Sequence, residues 1–432
     1  MNPTDYVQWF RQSSPYINAH RGKTFVIMFE GDAIADDNFT NVVQDIALLN
    51  SLGVQLVLVH GARPQIDSVL STLNIQSQFH NDLRVTDAQA LNAVKAAVGM
   101  VKADVESRLS VGLPNSPMHG ARIRVVSGNF VTAKPLGVID GVDFQHTGEV
   151  RRIEHQAIAE LLAQRNIVLL SCVGYSPSGE MFNLSVEDVA QHAAVSLRAD
   201  KLIIMGARAG LPDADNDTIK ELTCVDLEQH IHSLQGEPRH HAEAALKAVR
   251  QGVPRVHLLG YQNDGALLQE LFTREGTGTL VSQYAYDQLR AARNDDVAGI
   301  LESLRPLEEQ GILVRRSREL LENEIHRFYV IERDGMITAC AALYPYSDDQ
   351  AELACVAVHQ DYRGTNRGQR LLEQIEQEAR RRSYKQLFVL TTRTAHWFVE
   401  HGFVAGAVEA LPQERQRLYN WQRNSKVFFK PL

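Results

Sequence analysis

The chain has 432 residues, 44% of them apolar and 22% charged, the balance of a soluble globular protein rather than a disordered or membrane-embedded one, and long enough for two cores. Its formal charge of −8 excludes a general nucleic-acid binder, because neutralising phosphates takes a concentrated basic face. Cys172, Cys224, Cys340 and Cys355 show no CxxC spacing, so neither a disulfide framework nor a thiolate metal site is expected, and a reducing cytoplasm fits.

In chain order, Met1–Arg11 lacks the basic-then-apolar layout of a secretion signal. Thr24–Phe29, Val54–His60, Ile123–Val126, Ile167–Ser171, Lys201–Met205 and Arg255–Leu259 are short apolar runs that predict buried strands. None approaches the ~20 residues that span a bilayer. Between them lie helical patterns such as Phe39–Leu52, which places Val42, Val43, Ile46, Leu49 and Leu52 on one face and ends at Gly53. This alternation predicts an α/β sandwich around a mainly parallel sheet.

After the turn Glu275–Gly278 a helical pattern restarts over Ala285–Leu304 and is broken by Arg305–Pro306. The domains are therefore expected at 1–284 and 285–432, joined between Leu280 and Gln288. The second reads as α+β: strands at Arg327–Glu332, Met336–Tyr344 and Ala351–Val358, a helix at Gln369–Arg382, a strand at Leu387–Leu390, and a short helix before Gly402.

Within it, the strand AELACVAV runs into HQDYRGTNRG and then a helix. A strand–loop–helix junction of this kind suits an anion: free N–H groups and the helix dipole point at it, Arg363 and Arg367 add charge, and Gly364 and Gly368 let the backbone approach. An ordinary surface loop gives the same pattern when the segment is taken alone.

These residues resemble the acetyl-CoA loop of the GNAT acetyltransferase superfamily, R-x-x-G-x-G/A, followed downstream by Trp397–Phe398 and Gly402–Phe403. Asn366 replaces the middle glycine, and Phe398 stands where many members carry an acid Tyr. The resemblance implies acetyl-CoA as cosubstrate, contacted by Cys355, Val356, Val358, Arg363, Gly364, Arg367 and Gly368. Acetyl transfer to an amine needs a base, oxyanion donors and placement. Glu352 is the candidate base, directly or through a water. N–H groups around Cys355 and Val356 are the candidate oxyanion donors, and Thr391 is the candidate acid. Cys355 as an acetylated nucleophile is the alternative, but nothing places a base beside it.

Arginines concentrate at GILVRRS and QERQRLYNWQRNSK, where forked guanidinium groups suit a dicarboxylate. The segments LEEQGILVRRSRE, ACVAVHQDYRGTNRGQRLL, LFVLTTRTAHWFVEHGF and YNWQRNSKV resemble the bacterial N-acetylglutamate synthases across the whole domain. That resemblance implies Arg316, Arg415 and Arg423 as glutamate-carboxylate positions, and Glu352 and Thr391 as base and hydroxyl acid.

The first domain resembles the amino-acid-kinase family over about 15–280, through KTFVIMFEGDAI, HGARPQI, NLSVEDVAQHAA, ADKLIIM and ALLQELFTREGTGTL. Phosphoryl transfer there relies on charge-neutralising lysines. Their positions read as Met28 and about His241, so no kinase activity is expected. The resemblance further implies arginine as feedback inhibitor, held by Tyr16, Lys201, Glu270, Gly276 and Gly278, and a homohexamer joined through a helix at Tyr6–Ile17. Two other functions stay open: an acetylglutamate kinase with an appended regulatory module, and an arginine sensor with a decayed acetyltransferase domain. No metal, nucleic acid or membrane is expected as a partner.

Overall fold

The computed structural model describes residues 3–110, 119–120, 122–273, 275–283, 287–333, 335–363 and 366–432, without the side chains of 3–6, 8, 12 and 361. Gly364 of the expected acetyl-CoA loop lies outside the described residues. The chain divides into two compact units, Met1–Ala285 and Tyr286–Leu432. Among the described residues no helix is long and apolar enough to cross a membrane, and all four cysteines are buried and unbridged.

The main sheet of the first unit is built from β1 (Thr24–Phe29), β2 (Gln55–His60), β3 (Val125–Ser127), β4 (Ile167–Ser171), β5 (Lys201–Gly206), β6 (Glu221–Thr223), β7 (Arg255–Gly260) and β8 (Thr279–Ser282). The order across it is β6-β8-β7-β5-β1-β2-β4-β3. All neighbours are parallel except the antiparallel pair β7/β8. Because side chains alternate along a strand, Phe25, Ile27 and Phe29 enter one core, while Val26 and Met28 enter the other. Burial of both faces is what makes these strands read as continuous apolar runs.

Helices cover both faces: α1 (Pro3–His20), α2 (Phe39–Ser51), α3 (Ala88–Ser110), α4 (Val186–Ser196), α5 (Glu237–Arg250) and α6 (Ala266–Phe272). Helices α2, α3 and α6 pack on the Phe25 side, α4 and α5 on the Val26 side. Helix α2 buries Val42, Val43, Ile46 and Leu49, then stops where Gly53 adopts φ +90°. His241 lies inside α5, not ahead of it. A separate four-stranded sheet, 181–183, 173–175, 131–135 and 148–153 in that order, was not foreseen.

The second unit contains β9 (Gln288–Ala291), α7 (Val297–Glu309), α8 (Arg318–Glu324), β10 (Phe328–Arg333), β11 (Met336–Pro345), β12 (Gln350–Val358), α9 (Arg367–Arg381), β13 (Gln386–Thr391), α10 (Ala395–Glu400), β14 (Val404–Gly406) and β15 (Lys426–Pro431). The helix expected over Ala285–Leu304 is corrected here. Residues 288–291 form a strand on β10, and α7 runs through Pro306, whose missing N–H removes one internal bond while Ile300, Ser303 and Leu304 keep the helix buried.

The sheet order is β9-β10-β11-β12-β13-β15-β14. Two irregularities in β12 position the site. Its parallel pairing with β13 stops after Glu352↔Phe388, so the strands diverge beyond that point. Against β11 the register slips between Cys340 and Ala342, leaving Cys355 and Val356 without ladder partners. This is a bulge with Cys355 at φ +54°. As a result Ala354 and Cys355 both face one core, while Val356 and Val358 face the other.

Candidate functional site

The parting of β12 from β13 exposes a backbone edge, and α9 begins just beyond the end of β12. The N-cap Asn366 makes no side-chain bond to the helix, so the first-turn N–H groups point outward for an anion. Gly368 sits in that turn, where an added Cβ would lie 3.4 Å from Trp397. Arg363 is exposed. Arg367 does not face outward as expected: it is buried, 2.7 Å from Asp287 and stacked over Tyr362 at 4.4 Å. Asp287 also draws in Arg370 at 3.5 Å and Arg333 at 3.7 Å. Guanidinium groups tied to a buried carboxylate hold the start of the helix in place. Of the two loop arginines Arg363 is thus the one left exposed.

At the point of divergence Glu352 is buried and accepts two bonds from Arg415, Nε at 2.7 Å and a terminal nitrogen at 3.1 Å. Expected base and expected substrate ligand are thus joined. Tyr346, beside this pair, has its phenol pushed up to about 12 by burial and the Glu352 charge. Arg316 lies over the ring of Tyr344 at 5.5 Å. The Tyr344 hydroxyl donates to Glu324 at 2.7 Å, and Glu324 also receives Arg327 at 3.3 Å. Arg423 donates to the carbonyl of Ile312, and burial, then the neighbouring Arg415, holds its pKa below the usual arginine range.

Arg415 thus binds Glu352 and lies close enough to Arg316 and Arg423 for their charges to act on one another, and the Nε atoms of Arg316 and Arg423 are buried without a hydrogen-bond partner. A buried donor with no acceptor is costly, about 1–3 kcal/mol. Buried guanidinium donors without acceptors are what a carboxylate can satisfy.

Thr391, at the end of β13, is buried; its Oγ1 accepts from the N–H groups of Arg393 and Thr394 and lies 2.8 Å from Thr394 Oγ1. Phe398 is core, edge-on to Phe403. The Cys355 thiol is pushed up to about 12 by burial, a pull that nearby Arg316 only partly offsets. A thiol so placed is a poor nucleophile at neutral pH.

In the first unit, Glu270 is buried on α6 and fully engaged. One oxygen is 2.6 Å from His257 Nδ1; the other accepts the N–H groups of Thr277 at 2.6 Å and Gly278 at 2.9 Å. Lys201 Nζ lies 3.2 Å from the other nitrogen of His257. Burial, then the Lys201 charge, lowers His257 to about 4, so the neutral ring donates to Glu270 and accepts from Lys201. Burial would raise Glu270, but His257 and the two N–H groups hold it at about 2. Gly276, at φ +60°, lies where a Cβ would come 2.4 Å from Glu270, and a Cβ on Gly278 would strike the carbonyl of Leu258. Tyr16 is 6.3 Å from the ring of His20, which bonds to Leu271 O at 2.7 Å. His257 and His20 were missed from the sequence; the only signal was a polar residue within the apolar run RVHLLG. Met28 is fully buried in the core.

The fold and site define an amino-acid-kinase-like unit joined to an acetyltransferase unit, and the comparisons agree. Residues 23–260 match the amino acid kinase family and residues 324–405 the acetyltransferase (GNAT) domain. The amino-acid acetyltransferase of Azotobacter vinelandii is 56% identical, covering 99% of this chain and 100% of its own. N-acetylglutamate synthase from Neisseria gonorrhoeae, complexed with coenzyme A and L-arginine, is 35% identical with TM-score 0.89 over 99% of both chains. The same enzyme with coenzyme A and N-acetyl-glutamate gives 36% and 0.64 over 99% of both. The chain belongs to the amino-acid acetyltransferase family, the N-acetylglutamate synthases. It is an acyltransferase that uses acetyl-coenzyme A.

Proposed function

We propose that the second unit binds L-glutamate between Arg316, Arg415 and Arg423 and transfers to its amine the acetyl group of acetyl-coenzyme A, giving N-acetyl-L-glutamate and coenzyme A. The observation that carries this reading is the three-arginine cluster, with its two unmet buried donors, beside the single buried carboxylate Glu352. Substrate carboxylates would supply the acceptors that those donors lack. The gap between β12 and β13 supplies the pantetheine channel, and the uncapped start of α9 the diphosphate site.

Glu352 removes the ammonium proton; Arg415 fixes its plane, Tyr346 bonds to it as well, and one oxygen keeps a lone pair for the amine or a relaying water. N–H groups at the bulge, freed from the ladder, donate to the carbonyl oxygen of the acetyl group as charge grows there. Thr391, whose Oγ1 accepts two N–H groups and so donates its own proton to Thr394 Oγ1, turns that proton to the departing sulfur and recovers one from the nitrogen as the tetrahedral intermediate collapses. Cys355 shapes the bulge and is not acetylated.

Arginine is the feedback inhibitor in this reading, recognised in the first unit through Glu270, Lys201 and Tyr16, with Gly276 and Gly278 admitting the ligand. Helix α1, which exposes Val7, Trp9 and Phe10, joins the subunits of a hexamer, and the enzyme works in the cytoplasm. An arginine titration of acetyl transfer tests the effector site: Glu270→Ala should keep basal activity and lose inhibition, and unchanged inhibition removes Glu270 from it.

A further inference from the structure

We propose that Glu30, Glu237 and His241 of the first unit form a divalent-metal site for an ion of the Zn2+ class, separate from the acetyl-transfer site. One donor atom from each lies within 4.8 Å of the other two. Donors of a tetrahedral ion at bonds of ~2.0–2.2 Å are roughly 3.3–3.6 Å apart, so an ion held by one ring nitrogen draws in the carboxylate that now faces the other. His241 is buried and 3.0 Å from Glu30 through Nε2, while Nδ1 is 3.8 Å from Glu237. One imidazole with two carboxylates suits Zn2+, Co2+ or Mn2+ better than the all-oxygen preference of Mg2+ or Ca2+.

The surroundings of these three side chains fit an ion there. Glu30 follows the last residue of β1, and Gly206 ends β5, its parallel neighbour; open α/β sheets bind ligands at the carboxyl ends of such strands. Glu237 and His241 lie one turn apart on α5, so the helix presents both to that edge. Gly206 lets both side chains pack against the strand end: an added Cβ would come within 2.3 Å of Glu237 and 2.6 Å of His241. The N–H of Ala207 donates to Glu237 at 2.7 Å, the outer support that orients a metal-ligating carboxylate. Met28 and His241 stand where the amino-acid-kinase resemblance implies phosphate-neutralising lysines. Glu30 and Glu237 give the edge two carboxylates beside one imidazole, a donor set that takes a cation. A bound ion would tie β1 to α5 across the opening between them.

The test uses the full-length protein and Co2+ as the probe. Metal-stripped wild type is titrated with Co2+, followed by its visible d–d absorption and by equilibrium dialysis, beside His241→Gln and Gly206→Ala; melting in EDTA verifies folding. If His241→Gln does not fold, Glu237→Gln replaces it. The expected result is a wild-type band that both variants lose, with affinity for that equivalent falling at least about tenfold, while glutamate-dependent thiol release stays at the wild-type rate. Absence of a band in wild type, or identical spectra for wild type and variants, overturns the proposal and leaves an imidazole–carboxylate ion pair.

Discussion

Glu352 and Arg415 are bound to each other through two hydrogen bonds, so neither residue's role can be assigned from its loss alone. Glu352→Gln should lower kcat on the order of 10²- to 10⁴-fold, the range for losing a general base. Arg415→Lys breaks the forked geometry and should both raise KM for glutamate and lower kcat. Their double variant should fall short of the summed losses by about 1 kcal/mol or more; additive losses in initial-rate kinetics would mean that the pair does not act as a unit. Cys355 separates direct transfer from a covalent route. Cys355→Ala should keep kcat within about tenfold of wild type, whereas a nucleophilic cysteine would lose nearly all turnover.

At the scale of elements, Gly276 holds a turn at φ +60° against the Glu270 carboxylate. Gly276→Ala should destabilise the protein by about 1–2 kcal/mol in chemical denaturation and weaken arginine inhibition while kcat without arginine stays near wild type. Full inhibition in a folded variant would separate the turn from the effector. How legible such elements were depended on where their contacts come from. Strands β1 and β4 were readable to the residue because burial on both faces leaves unbroken apolar runs. Residues 288–291 were not, since their strand state comes from pairing with β10 about forty residues on, and local spacing suits a helix equally well. The small sheet escaped for the same reason: strands 173–175 and 181–183 are too short to show a period. In the site, Glu352 and the arginines were visible as residue types in a resembling pattern. The Arg367–Asp287 pair, the Lys201–His257–Glu270 chain and the Glu30–His241 contact were not, because each joins segments far apart or types that are usually solvated.

At the scale of the whole molecule, the two units have different sensitivities. His20, His60 and His257 in the first are all lowered to about 4, each chiefly by burial. Between the unperturbed value of about 6.5 and about 4 the unfolded chain binds more protons than the folded one. Their stability contribution is therefore complete above about pH 6.5 and lost as pH falls towards 4, on the order of a few kcal/mol for each histidine. The Glu270 contribution is present above about pH 4.5 and disappears towards about 2. Chemical-denaturation midpoints should decline through the histidine window; a flat profile there would contradict the buried neutral histidines. The first unit should also be inert as a kinase: Met28 is buried in the core and His241 is paired with Glu30, so neither supplies the lysine charge that a transferred phosphoryl group needs. Coupled assays with ATP and N-acetylglutamate should show no ADP above background.

The central claim, that arginines of the second unit clamp a dicarboxylic amine for acetyl transfer, is tested most directly by free-thiol release from acetyl-coenzyme A across a panel of L-amino acids, for wild type and Arg423→Ala. The account predicts ATP-independent release that requires L-glutamate, and a variant whose KM for glutamate rises by roughly 10- to 100-fold, the loss of a charge-assisted hydrogen bond, with KM for acetyl-coenzyme A unchanged. Release indifferent to glutamate, or a variant with wild-type KM for it, would contradict the account.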